Sequence, residues 1–156
     1  MKKLFVLVAV ATLALASCSS KGTTTTGTDS KTSVYGARGS DAGDAGALKS
    51  VSFDYDKAAL TSAAKGLLKT NAEWLKTNPK TKIQIEGHCD SRGTIEYNIA
   101  LGEKRAITVE KYLSAIGVKK DRMSTISFGE ERPLDAAETE EAWAKNRRAN
   151  FVIVEK

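Results

Sequence analysis

Between Lys82 and Phe128 the apolar residues change period twice, and that stretch limits the fold more than any other. Ile83 and Ile85 alternate with Gln84 and Glu86, the period of a half-buried strand over Lys82–Glu86. From Ile95 to Ile116 the spacing becomes helical, with Ile99, Ala106, Val109, Leu113 and Ile116 on one stripe. Met123–Phe128 then reads as a strand ending at Gly129. Thr94 stands where an N-cap belongs, and Gly117 where a helix ends on a left-handed residue. A strand, a long helix and a second strand form a crossover, and the helix must lie against a sheet face to bury its stripe.

The flanking elements repeat this logic. Val51, Phe53 and Tyr55 alternate with polar residues, predicting a strand over Val51–Asp56. Leu60–Thr77 carries Leu60, Ala64, Leu67, Leu68, Ala72 and Leu75 as an apolar stripe. Thr61 or Ser62 can cap it, and Asn78-Pro79 stops it. Glu138–Asn146 reads as a shorter helix, and Arg148–Val154 as a last strand with Phe151 and Ile153 on one face. The order β-α-β-α-β-α-β predicts a two-layer α/β (α+β) sandwich over residues 50–156, long enough for one ordinary core.

What precedes that domain has a different composition. Lys2 and Lys3 are followed by an apolar run, Leu4–Ala16, of about 13 residues, too short to span a bilayer as a helix. The run ends Leu15-Ala16-Ser17-Cys18, which resembles the lipobox of bacterial lipoproteins. That resemblance implies a signal peptide over 1–17 and a lipidated Cys18. With two or three acyl chains, each buried methylene adding about 0.8 kcal/mol, the anchor is stable. Ser19 after the lipid cysteine is compatible with sorting to the outer membrane. Ser19–Lys49 is rich in Thr, Gly, Ser, Asp and Ala, with Val34, Tyr35 and Leu48 as its only large apolar side chains. Residues 18–49 are therefore expected to be a lipidated, flexible tether. Its root-mean-square reach as a coil is about 30 Å.

The formal net charge is +5, and removing residues 1–17 takes away two lysines. An excess so small, on an exported chain, argues against a nucleic-acid partner. With Cys18 lipidated, Cys89 has no partner for an internal disulfide.

The chemistry concentrates between Gly87 and Arg105, where a strand gives way to a polar loop and then to the long helix. Asp90 places a carboxylate in the loop, and Arg105 places a guanidinium on the helix. Asn98, Leu101 and Arg105 are spaced three and then four apart, so they share one helical face. On spacing alone, Asp90 and Arg105 fit either an internal ion pair or a clamp for a small zwitterion. Amides near Gly93 and Thr94, at the helix start, can add donors to a carboxylate. Asp56, at a strand end, fits either a turn cap or a binding role. Arg147 and Arg148 point to opposite sides as a strand begins and read as structural, and Trp74 and Trp143 read as packing residues. His88 and Cys89 are adjacent, but strand neighbours point apart, and no second His exists to complete a relay. One His and one usable Cys do not close a zinc site. No enzyme activity, cofactor or metal is expected.

Five phrases taken together carry a family resemblance. They are Ser52-Phe53-Asp54-Tyr55-Asp56-Lys57, Glu86 to Thr94, Glu96 to Ala106, Ser127 to Pro133, and Lys145 to Ala149. They resemble the OmpA-like peptidoglycan-binding domain, and the lipobox and tether resemble its lipid-anchored members in the Tol-Pal system. The resemblance implies noncovalent binding of the diaminopimelate side chain of peptidoglycan. It carries the anchoring pair onto Asp90 and Arg105, with Asp56, Tyr55 (where the family usually has Phe), Asn98, Leu101 and Thr94 around them. Ser91 stands where the family commonly has Glu, which removes one charge from the loop. The implied protein tethers the outer membrane to the cell wall from the periplasmic face, with TolB and possibly TolA as partners. The alternative implied is an OmpA-like anchor lipoprotein serving another envelope or motor complex.

Overall fold

The computed structural model describes residues 38–156. The expected signal peptide, Cys18, Ser19 and the tether as far as residue 37 lie outside the described residues. Seven regular elements follow: β1 (Val51–Ser52), α1 (Ser62–Thr77), β2 (Lys82–His88), α2 (Ile95–Ala115), β3 (Met123–Gly129), α3 (Glu140–Asn146) and β4 (Arg148–Glu155). The predicted order holds. The sheet runs β1-β4-β2-β3, with β2 and β3 parallel and β4 antiparallel to both its neighbours.

Each α-helix begins on a threonine whose hydroxyl accepts the backbone N–H three residues on. Thr61 takes Ala64, Thr94 takes Tyr97 and Thr139 takes Ala142, at 3.1, 3.2 and 3.3 Å. Each cap satisfies one of the amides a helix start leaves without a partner. Gly117, at φ +100°, ends α2 as its position predicts. The core joins Leu68, Ala72 and Leu75 of α1 and Ala106, Val109 and Leu113 of α2 to Ile83, Ile85, Ala149 and Phe151 of the sheet. Leu67, assigned to the buried stripe of α1, is 41% exposed.

Helix α2 sits unusually close to β2. A Cβ built on Gly87 would lie 1.9 Å from the Gly102 carbonyl oxygen, and one on Gly102 would lie 2.3 Å from the Ser127 hydroxyl. Only two facing glycines allow that approach. They fix α2 on the sheet one turn before Arg105, where β2 ends in an irregular register at Gly87/His88.

Two expectations change. The first strand is two residues long, not six. Beyond Ser52 the carbonyls of Phe53, Asp54 and Lys57 accept arginine side chains in place of a strand partner. Asp56 turns the chain at φ +55°. Residues 39–49 also depart from the tether that composition suggests. Ala45 and Leu48 are buried in the core, and Asn71 of α1 exchanges two hydrogen bonds with the Lys49 backbone at 2.9 and 2.8 Å. Residues 39–41 form a 3-10 turn beside β4. Ser40 there bonds Asn150 and the Phe151 amide, and Asp41 pairs with Arg148 at 2.7 Å with both side chains buried. A segment short of large apolar residues is held by buried polar contacts that composition does not reveal.

Candidate functional site

The loops at the end of β2 enclose a cavity of about 180 Å³. Its walls include Tyr55, Asp56, Asp90, Asn98, Leu101 and Arg105, which are six of the seven predicted site residues. Thr94 is the exception: it is exposed, does not line the cavity, and spends its hydroxyl on the cap of α2. A space this small suits one amino-acid-sized group rather than a whole peptide.

Arg105 is the largest fully buried side chain of the described residues. It donates to three backbone carbonyls: Nε to Lys57 at 2.9 Å, Nη1 to His88 at 2.8 Å and Nη2 to Asp54 at 3.1 Å. Nη1 also reaches the Cys89 sulfur at 3.4 Å. Its guanidinium thus pins the loop after β1 over the cavity. Among the described residues no carboxylate lies within ion-pair distance of it, and one N–H of Nη2 has no partner. Burial lowers its pKa, the opposing pulls of Cys89 and Asp90 being weaker. A buried cation without a contacting counter-ion is unusual, because removing its hydration costs several kcal/mol.

Asp90 is the opposite case. Arg92 reaches Oδ1 through its backbone amide at 3.2 Å and its Nε at 3.3 Å, and Oδ2 through Nη2 at 2.6 Å. Arg147 adds Nη1 on Oδ2 at 3.3 Å. A carboxylate offers about four acceptor positions, so those of Asp90 are filled. Burial pushes its pKa up, but the bonds from Arg92 and Arg147 outweigh this and hold it below the usual carboxylate range. Asp90 and Arg105 therefore do not form the internal ion pair that spacing permits.

The remaining walls are held with similar care. The Asn98 amide bonds the Asp90 and Arg92 carbonyls, each at 3.2 Å, and the Glu130 carboxylate, so it ties the loop to α2. Asp56 accepts a hydrogen bond from the Tyr97 hydroxyl. It is the sole non-glycine residue with positive φ among those described, and a strained backbone of this kind is typical of ligand sites. Leu101 is half-buried and supplies the apolar wall.

Four residues outside the predicted set belong here. Arg92 and Tyr97 line the cavity, as does Cys89, and Arg147 fixes Asp90 from behind. Arg147 also bonds the Phe53 carbonyl at 3.2 Å and Glu140 at 2.8 Å. The Asp-x-Arg spacing of the loop was a usable signal for Arg92. Arg147, read from the sequence as structural, arrives from the far end of the chain, and its spacing gives no sign that it would meet Asp90. Trp143 stands over the Arg92 guanidinium and donates its indole N–H to Ser91, so it packs against the loop rather than in the core. Cys89 donates to the Asn98 carbonyl at 3.3 Å, and burial pushes its thiol up to about 11. His88 lies elsewhere, stacked on Phe128 beside Glu86, so the two neighbours do not form a nucleophile–base pair.

Residues 52–147 match the model of the OmpA family. The chain belongs to the OmpA family. A peptidoglycan-associated lipoprotein from Haemophilus influenzae is 38% identical over 143 residues, covering 92% of each chain. One from Brucella melitensis is 44% identical over 101 residues, which are 65% of this chain and 60% of that protein's length. Among solved structures, the Burkholderia pseudomallei peptidoglycan-associated lipoprotein is 43% identical with a TM-score of 0.65, over 67% of this chain and 88% of that one. The C-terminal domain of Helicobacter pylori MotB reaches the same TM-score at 22% identity, over 70% and 86% of the two chains. That likeness concerns the OmpA-like fold alone.

Proposed function

We propose that the cavity binds the free end of the diaminopimelate side chain of peptidoglycan without covalent chemistry. That end carries an ammonium and a carboxylate on one carbon. The carboxylate goes to Arg105, whose buried charge has a spare N–H and no carboxylate partner; this single feature carries the reading. Asp90, the expected partner of the ammonium, has its acceptor positions taken by Arg92 and Arg147, so the ammonium goes to Asp56, which has an oxygen unused by Tyr97, with the negative charge of Asp90 beside it. Leu101 covers the methylenes. The names of the relatives support the same reading.

The full role follows from the segment before residue 38. A lipid on Cys18 and a tether running to about residue 37 join an outer-membrane leaflet to a domain that grips the wall from the periplasmic side. TolB, and TolA more distantly, are the partners the family likeness suggests. An anchor serving another envelope or motor complex is the competing assignment, and co-purification of TolB separates the two.

The test is sedimentation of the chain from Ser19 with purified sacculi of the diaminopimelate and lysine types. Lysine lacks the terminal carboxylate, so selective binding to the first type is expected. Arg105→Lys cannot serve both the loop carbonyls and a ligand, and loses about thirtyfold in affinity, from about 2 kcal/mol for a charge-assisted bond. Equal binding to both walls by the native chain refutes the assignment.

A further inference from the structure

Arg92 is held more firmly than a loop arginine needs to be. Its guanidinium lies between two aromatic rings, 4.0 Å from the centre of Tyr55 and 4.2 Å from that of Trp143. One edge, Nε and Nη2, is fastened to Asp90. The other edge makes no hydrogen bond among the described residues; its Nη1 pairs with the Glu140 carboxylate at 3.6 Å, on an exposed side chain that a ligand carboxylate can displace. The side chain is 29% exposed, at the wall of the cavity. Two rings and a carboxylate thus fix a planar fork with its donors facing outward. A second anion can dock there with little ordering cost, because the fork is already immobile.

We propose that the outer edge of Arg92 is a specificity subsite for a second carboxylate, on the residue next to the one whose zwitterionic end enters the cavity. The proposal rests on the reading of the cavity given above. In a wall peptide with a γ-linked glutamate before the diamino acid, the free α-carboxylate of that glutamate has the required chemistry. Amidation to isoglutamine removes the charge and replaces an acceptor oxygen by a donor, so it opposes Arg92 directly. Tyr55 and Trp143 act as positioning residues: they orient Arg92 and do not touch the anion.

Calorimetry with two synthetic peptides tests this: L-Ala-γ-D-Glu-meso-diaminopimelate and its isoglutamine counterpart. The native chain should bind the acid about tenfold more tightly than the amide. Arg92→Gln should bind both alike. Arg92→Lys keeps the charge but not the fork, and should recover less than half of the preference in free-energy terms. Trp143→Phe retains a ring against Arg92 and should keep the preference, which checks the result in a variant that leaves Asp90 undisturbed. Equal affinity of the native chain for acid and amide overturns the proposal, as does a preference that survives Arg92→Gln. Loss of the diaminopimelate-over-lysine preference in the native chain overturns the cavity assignment instead.

Discussion

Asp41→Ala tests whether the segment before β1 belongs to the folding unit. The Asp41 carboxylate is 3% exposed, accepts from Arg148 at 2.7 Å and accepts from Ser50 at 2.5 Å. Its other contacts make Arg148 dependent on it: the guanidinium's remaining bonds are two long ones, to the Asn146 and Arg132 carbonyls at 3.4 Å each. Burial already lowers the pKa of Arg148, with Asp41 pulling it back up. Truncating Asp41 leaves a buried cation without a contacting counter-ion, which costs about 3–5 kcal/mol. In a domain of this size each kcal/mol moves the midpoint by about 4 °C, so thermal unfolding followed by circular dichroism should fall by about 12–20 °C. Urea unfolding should show the same loss with an unchanged slope, since the surface exposed is the same. Adding Arg148→Met should restore most of the stability, because an apolar replacement removes the stranded charge. A shift under about 3 °C in the single variant would mean that residues 38–49 are a tether after all.

Two further outcomes concern His88 and Cys89. His88 is 2% exposed with neither ring nitrogen hydrogen-bonded among the described residues, and burial holds its pKa below 6.5, Glu86 pulling the other way more weakly. The charged groups around it are Glu86 on its own strand, Arg148 on β4 and Asp41 on the 3-10 turn. The unfolded chain takes up a proton near pH 6.5 where the folded chain resists, so native stability should fall as the pH drops below that value. In His88→Gln the stability between pH 6.5 and about 5 should be flat, as read by urea unfolding; an unchanged decline would place its cause elsewhere. For Cys89, a thiol raised from an ordinary 9.0 to about 11 has about 100-fold less thiolate at pH 8. Iodoacetamide should modify the folded chain at least that much more slowly than the urea-unfolded chain, and rapid labelling of the native protein would contradict the buried geometry.

The helices and the middle strands were legible in the sequence because local rules set them: two threonine caps, a C-terminal glycine, and two clear periods. Asp90, Asn98, Leu101 and Arg105 were legible for a related reason, since a strand end, a short loop and one helix face are contiguous in the chain; Tyr55 and Asp56 rested on the family resemblance. What escaped was settled by long-range polar contacts. Val51–Asp56 has the alternation of a full strand, yet Arg105 and Arg147 take its carbonyls. Residues 39–49 have the composition of a linker, yet Asp41, Ser40 and Leu48 find partners in β4 and the core. In both cases, hydrophobic pattern carries no information about which distant polar group will be buried alongside.

The arginines explain why the site's charges are unequal. Arg147 and Arg92 together saturate Asp90, and Arg148 is matched to Asp41, so each of these cations has a contacting carboxylate in the free protein. Arg105, the most deeply placed of them, has carbonyl dipoles, a thiol and the face of the Phe53 ring, and no contacting carboxylate among the described residues. Had Asp90 been left for Arg105, the two would have closed on each other as an internal pair, and a zwitterion would have had to break it. By engaging Asp90 from the other side, Arg92 and Arg147 keep Arg105 available while its carbonyl bonds hold it in place. On the proposed reading, the cavity is preorganised for an anion by what its neighbours withhold from it. The same arrangement makes Arg92→Gln informative beyond its own subsite: with Asp90 less engaged, a weakened preference for diaminopimelate over lysine walls would mean, on the proposed reading of the cavity, that Asp90 had turned toward Arg105.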